Sequence, residues 1–187
     1  TIGEMTAVET MSSGPAGGVV GAKYIGELYG FDNIVSTDVG GTSFDVAVIT
    51  RGTVNLNREA SVGQCLLGVP MLEVKSIGAG GGTLARLDPL TGRLTVGPQS
   101  AGSVPGPVCY GRGGETPTVT DADVVLGYVD PDYFLGGKIK LHKDKAEQAI
   151  LKRIAEPLGL SVEDAALGVR KIIDARMRDT ILGMTVA

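Results

Sequence analysis

Residues 34–53 read IVSTDVGGTSFDVAVITRGT, and this stretch decides how the rest of the chain is read. An apolar run ends at Asp38, Gly40-Gly41-Thr42-Ser43 make a tight corner, and Asp45 opens a second apolar run. Glycines at a corner let backbone N–H groups close on an anion, and Thr42 and Ser43 add hydroxyl donors beside them. Carboxylates at the two strand ends, Asp38 and Asp45, can hold Mg²⁺ directly or through water, or orient an attacking water. The same residues also suit an ordinary Gly-Gly hairpin turn with Asp and Thr as local hydrogen bonders. The full D-x-G-G-T-x-x-D pattern between two strand-like runs favours the phosphate-gripping reading.

Composition narrows the classes around that corner. With 187 residues the chain suffices for one substantial core or for one lobe of something larger. Lys plus Arg number 17 against 21 Asp plus Glu, a net charge of −4, and such a surface does not attract a polyanion, which argues against nucleic acid as a partner. No apolar run approaches the roughly 18 residues that a membrane span needs, so no membrane association and a cytoplasmic location are expected. The sequence begins at Thr1 without Met and ends at Ala187 in a helical pattern, so it is expected to be a piece of a longer chain. Cys65 and Cys109 are far apart in sequence and fit a reducing compartment. His142 is the sole histidine, which excludes a His-rich metal site. Glycine, at 29 residues, is about twice its usual share of roughly 7%.

Much of that glycine lies in motifs. Ser13-Gly14-Pro15-Ala16-Gly17-Gly18 precedes a helical pattern to about Tyr29, and its start suits either an anion at free N–H groups or a plain cap with close packing. Strands are expected over 33–37, 44–50, 53–60 and 66–77, with Arg51-Gly52 as a turn. Gly78-Ala79-Gly80-Gly81-Gly82 follows, and so many glycines together cost conformational entropy that a plain connector would not repay. Gly78, Gly80, Gly81 and Gly82 are therefore candidates to lie against a nucleotide or substrate. A hairpin over 84–96 reads as scaffold. Residues 97–117 form a long Gly/Pro/Ser-rich loop, of a kind that is usually functional or disordered. Within it Arg112 can meet a phosphate or carboxylate through two parallel hydrogen bonds, and Cys109 reads as a packing residue. Thr120 or Asp121 is expected to cap a short helix; alternatively Asp121 or Asp123 shares a cation with Asp38. Helices are expected from Lys143 to about Glu156, stopped by Pro157 and Gly159, and from Ser161 onward, where Ser161-x-x-Asp164 reads as a capping box. Along the last helix Ala165, Val169, Ile172, Ile173, Met177 and Ile181 recur at roughly helical spacing and are expected to form the apolar face, with Arg170, Lys171, Asp174, Arg178 and Asp179 facing water.

Four stretches in one order, SGPAGGVVGA (13–22), the DVGGT corner, SIGAGGGT (76–83) and GPVCYGRGGETPTVTDADVVLG (106–127), resemble the hydantoinase A/oxoprolinase family, which includes subunits of ATP-dependent acetone and acetophenone carboxylases. That resemblance implies an α/β fold: a ribonuclease-H-like lobe of the actin/Hsp70/sugar-kinase superfold, with inserted β-hairpins and C-terminal helices. Residues 1–187 would then be a single lobe of an ATPase-like domain, with 143–187 its helical part. It implies a nucleotide-binding core using ATP and Mg²⁺, in which a substrate carbonyl or cyclic amide is activated by phosphorylation, and a hydantoinase B-type partner subunit or domain. On that view Gly40, Gly41, Thr42 and Ser43 hold phosphate, Asp38 and Asp45 serve Mg²⁺ or water, Asp121 joins Asp38 on the metal, and Gly78 to Gly82 with Arg112 surround the ligand. The family also uses an earlier phosphate loop of similar sequence, whereas DVGGT occurs once here, so the fragment alone is expected to be inactive. Lys75-Ser76 stand where many amide-hydrolysing relatives carry His and Thr, which tilts the expectation towards the carboxylase branch. Two other classes remain: a sugar or acetate kinase-like phosphotransferase, and a non-catalytic actin-like nucleotide-binding module.

Overall fold

The computed structural model describes residues 13–57, 61–62, 65–66 and 71–186. It divides into two compact units, one of residues 1–38, 45–76 and 180–187, the other of 39–44 and 77–179. Both mix helix and strand, so the class is α/β.

In the first unit, helix α1 spans Ser13–Tyr29, with Gly30 beyond it in the left-handed region at φ 73°. Strands β1 (Ile34–Val39), β2 (Phe44–Thr50) and β3 (Thr53–Val54) lie side by side in that order, and a later strand, Lys75–Ile77, also pairs with β2. The turn between β2 and β3 is the expected Arg51-Gly52, with both residues at positive φ, and it sets the antiparallel register Ile49↔Val54 and Thr50↔Thr53. β2 is the central strand and buries Val46, Ala47 and Ile49. Val19 of α1 packs into the Ala47–Ile49 cluster, with Ile34 and Val74 at its margin. A Cβ at Gly26 would overlap the Ile34 side chain, so glycine there lets helix and strand meet closely.

Among the described residues the expected strand over 53–60 continues past β3 as β4 (Leu56–Asn57), which pairs with β7 (Met71–Leu72); β5 (Ser61–Val62) pairs with β6 (Cys65–Leu66). The remainder of the expected strands over 53–60 and 66–77 falls partly on 58–60 and 67–70, outside the described residues. The last part of the second is the Lys75–Ile77 strand, β8.

The second unit is built on a hairpin, β9 (Thr83–Leu87) and β10 (Leu94–Ser100), longer than the sequence pattern suggests and irregular between Val96 and Ser100. Its turn is tied by Asp88, whose Oδ1 accepts from the Leu90 and Thr91 amides and the Thr91 hydroxyl. Helix α2 (Val119–Val125) follows the long loop, and α3 (Lys143–Ile150) runs on through a wider π turn, Leu151–Ala155, and a last turn, Glu156–Leu158. Pro157 sits inside that last turn, and Gly159 at φ 66° ends it.

Helix α4 spans Val162–Thr185, opened by the expected Ser161/Asp164 cap: Ser161 Oγ accepts from the Asp164 amide at 3.0 Å and donates to its carboxylate at 2.8 Å. Ala165, Ala166, Val169 and Ile173 are its buried face. Arg170 does not face water as its position in the pattern suggests: it is half-buried, pairing with Asp123 at 3.3 Å and Asp174 at 2.8 Å. Among the described residues no helix is long and apolar enough to cross a membrane.

Candidate phosphate-binding corner

The corner of residues 40–43 is closed by its own backbone, the Gly40 amide donating to the Ser43 carbonyl at 3.0 Å. Gly40, Gly41 and Thr42 are exposed. Among the described residues neither the Gly41 nor the Thr42 amide finds a protein acceptor, so two adjacent N–H groups stand open at a solvent-facing turn. Adjacent free amides of this kind make an anion-binding concavity. A Cβ on Gly41 would meet nothing within 4 Å, consistent with open space on that side.

The glycine run that follows β8 does not simply drape over empty space; it is zipped to this corner. The Gly81 amide donates to the Gly40 carbonyl at 3.0 Å and the Gly82 amide to the Gly41 carbonyl at 2.7 Å. A Cβ at Gly80 would come within 2.6 Å of Gly40 O, Gly41 C and Thr42 N, so the two backbones touch where any side chain would separate them. Gly82 is similarly close to Gly41 O and Ser100 Oγ, and Gly78 to Pro98. The amides of Gly81 and Gly82 are thus spent on the corner rather than held open.

Behind the glycine run stands the first turn of α2. The Thr120 amide and its Oγ1 both donate to the Gly81 carbonyl, each at 2.8 Å. The helix cap is Thr118, ahead of both Thr120 and Asp121: its hydroxyl accepts from the Asp121 amide, and Asp121 reaches back to the Thr118 amide. The T-x-x-D spacing over 118–121 is the sequence signal that could have located it.

Asp121 is fully buried. Its Oδ1 accepts from the Cys109 amide at 2.7 Å, and its Oδ2 from the Val108 amide, the Thr118 amide and the Thr118 hydroxyl at 2.8–3.1 Å. Both oxygens therefore serve the loop and the helix cap. Among the described residues no group of three or more His, Cys, Asp or Glu is arranged to hold a metal.

The loop's other candidates fall elsewhere. Arg112 is exposed and lies over the Tyr110 ring, 5.8 Å from its centre. Tyr110 packs in turn near Phe134. Cys109 is fully buried, and burial, with the Asp121 carboxylate adding to it, pushes its thiol far above the ordinary range. It is inert packing. Asp123, beside Asp121 but facing α4, is held above the usual carboxylate range by burial, against the pull of Arg170.

In the first unit, Asp38 is exposed and Asp45 half-buried. Both line a small crevice with Pro15, Gly18, Val19 and Ser36, so the glycine-rich start of α1 and the two carboxylates share one surface. Among the described residues the Asp38 carboxylate makes no hydrogen bond or ion pair.

Comparison with known proteins shows what the chain is similar to. The sequence model of the hydantoinase/oxoprolinase family matches residues 1–187. The chain is 48% identical over 176 residues to the acetone carboxylase beta subunit of Xanthobacter autotrophicus, covering 94% of the chain and 24% of that subunit. Its structure superposes on nucleotide-free acetone carboxylase with a TM-score of 0.86 at 48% identity, over 92% of this chain and 24% of that one. The ATP-dependent caprolactamase of Pseudomonas jessenii is similar too, with a TM-score of 0.76 and 44% identity over 86% of this chain and 23% of the other. The chain thus spans about a quarter of the length of each of these relatives.

Proposed function

Because the chain belongs to the hydantoinase/oxoprolinase family, we propose that it is the nucleotide-binding core of an ATP-dependent subunit that activates a carbonyl or cyclic amide substrate by phosphorylation. The observation that carries this reading is the pair of open amides at Gly41 and Thr42, on a corner whose carbonyls are already tied down from behind by Gly81 and Gly82. An anion meeting that corner finds donors in fixed positions, which is how positioning and charge neutralisation would speed phosphoryl transfer.

Gly40, Gly41, Thr42 and Ser43 hold phosphate in this proposal. Asp38, exposed and with no partner for its carboxylate among the described residues, is the side chain best suited to Mg²⁺, and Asp45 flanks the corner on its other side in sequence. When bound, Mg²⁺ would neutralise charge on the phosphates. Asp121 is not proposed as a ligand, since its oxygens are committed to four donors. Gly78, Gly80, Gly81 and Gly82 support the corner's backbone, and Arg112 is kept as an exposed cation able to meet a substrate carboxylate or phosphate.

The same proposal extends to the finer fold, a ribonuclease-H-like lobe of the actin/Hsp70/sugar-kinase superfold, and to a cytoplasmic location. It includes a partner of hydantoinase B type; the Xanthobacter relative is itself a named subunit, of beta type. Calorimetric titration of the intact protein carrying this chain with Mg·ATP, with Gly41→Val as control, tests it. Saturable binding that the valine abolishes is expected. Binding that survives Gly41→Val would remove the corner from the phosphate site.

A further inference from the structure

We propose that Thr120 is a positioning residue that fixes the geometry of the corner at Gly40 and Gly41 without touching any ligand itself. The inference rests on the phosphate reading of that corner for its functional half, but its mechanical half stands on hydrogen bonds alone.

Thr120 directs two donors, its amide and its hydroxyl, at one acceptor, the Gly81 carbonyl, both at 2.8 Å. That peptide is the hub of the site: the Gly81 amide holds Gly40 O, and the next amide, of Gly82, holds Gly41 O. There is no slack in the stack. A Cβ at Gly81 would lie 2.7 Å from Thr120 Oγ1, and one at Gly80 would lie 2.6 Å from the corner backbone. A displacement of Thr120 must therefore pass through the glycine run into the corner, because close-packed backbone has no side chain to absorb it.

Thr120 is itself nearly buried and immobilised from the far side. It is the second residue of α2, whose start is locked by the Thr118/Asp121 capping box, and Asp121 is anchored in turn by the Val108 and Cys109 amides. The order of support is loop 108–109, Asp121, α2, Thr120, Gly81, corner. Free amides at Gly41 and Thr42 are useful only if they hold still, and this stack supplies that rigidity.

The test uses Thr120→Val, which keeps shape and the backbone donor but deletes the hydroxyl donor, and Thr120→Ser, which restores it. Hydrogen exchange at the bonded amides of the stack, Gly40, Gly81 and Gly82, is read in the intact protein without nucleotide, and Mg·ATP affinity is read separately. Loss of one such bond is expected to speed exchange at these amides about fivefold and weaken Mg·ATP by a similar factor, with Thr120→Ser returning both towards the parent. Gly81→Ala, which pushes the hydroxyl off its acceptor without altering α2, should reproduce the effect and serves if Thr120→Val does not fold. Unchanged exchange at the Gly40, Gly81 and Gly82 amides in a folded Thr120→Val protein overturns the proposal, as does faster exchange with unaltered Mg·ATP affinity. If the parent protein binds no Mg·ATP while the corner's exchange still responds to Thr120, the mechanical coupling is upheld and the nucleotide reading is what fails.

Discussion

The Cys109 amide donates to Asp121 Oδ1 at 2.7 Å, joining the middle of a long glycine- and proline-rich loop to the first turn of α2. With the Val108 amide on the other carboxylate oxygen, one side chain holds a loop that has little apolar content of its own to fix it.

Asp121→Asn should therefore act on stability. The amide group brings an N–H₂ donor against donors already there, leaving buried N–H groups unpaired at about 1–3 kcal/mol each. We expect a fall of about 2–3 kcal/mol in the free energy of unfolding, measured from the urea midpoint. A normal midpoint combined with weakened Mg²⁺ binding would return Asp121 to the role of cation ligand.

Cys109 should be unreactive in the folded protein. A thiol whose pKa is raised by burial stays protonated at neutral and mildly alkaline pH, and the nucleophile is the thiolate. Iodoacetamide at pH 8 should leave the Cys109 peptide unmodified until denaturant is added, as followed by mass spectrometry. Prompt alkylation under native conditions would contradict the burial seen here.

Much of this arrangement could be read from residue order alone. The D-x-G-G-T turn between two strands and the Ala165, Val169 and Ile173 face of α4 follow from the pattern of apolar residues, and the Arg51-Gly52 turn and the Ser161/Asp164 cap from local rules: positive φ in a short turn favours glycine, and helix ends need side-chain oxygens. What the sequence hid is pairing across distance. Nothing local tells that the Gly80–Gly82 backbone lies on the corner's backbone, since glycines look alike whether they face a ligand or another peptide. Asp121 likewise reads from sequence either as a helix cap or as a cation ligand, because its four donors come from residues 108, 109 and 118, two of them in an irregular loop. Arg170 was legible as a charged residue on a helix but not as the partner of Asp123.

That last pair gives a pH signature. Burial raises the Asp123 pKa above its value in the unfolded chain, with Arg170 opposing and Asp174 adding to the rise. The folded state then binds the proton more tightly, so the stability this group contributes is present below the unfolded pKa and is lost as pH rises through the folded one. Relative to Asp123→Asn, the parent protein should lose stability as pH climbs from the ordinary aspartate pKa of about 3.9. Urea midpoints of both proteins between pH 3 and 7 check this. A difference that stays flat, or that grows with pH, would mean that the Arg170 pairing outweighs burial.

Gly80→Ala and Gly41→Ala make a matched pair that separates packing from access. At Gly80 a methyl group meets three backbone atoms of the corner at 2.6 Å, and none of them is the flexible end of a side chain. Overpacking of this kind costs roughly 1–3 kcal/mol, and here it also pries apart the Gly81–Gly40 and Gly82–Gly41 bonds. At Gly41 the methyl group meets nothing within 4 Å and should leave stability nearly unchanged. We expect Gly80→Ala to lower both the unfolding free energy and Mg·ATP affinity, whereas Gly41→Ala keeps its stability and any loss is confined to nucleotide. Equal stability of the two variants by chemical denaturation would show that the glycine run does not rest on the corner as the hydrogen bonds indicate.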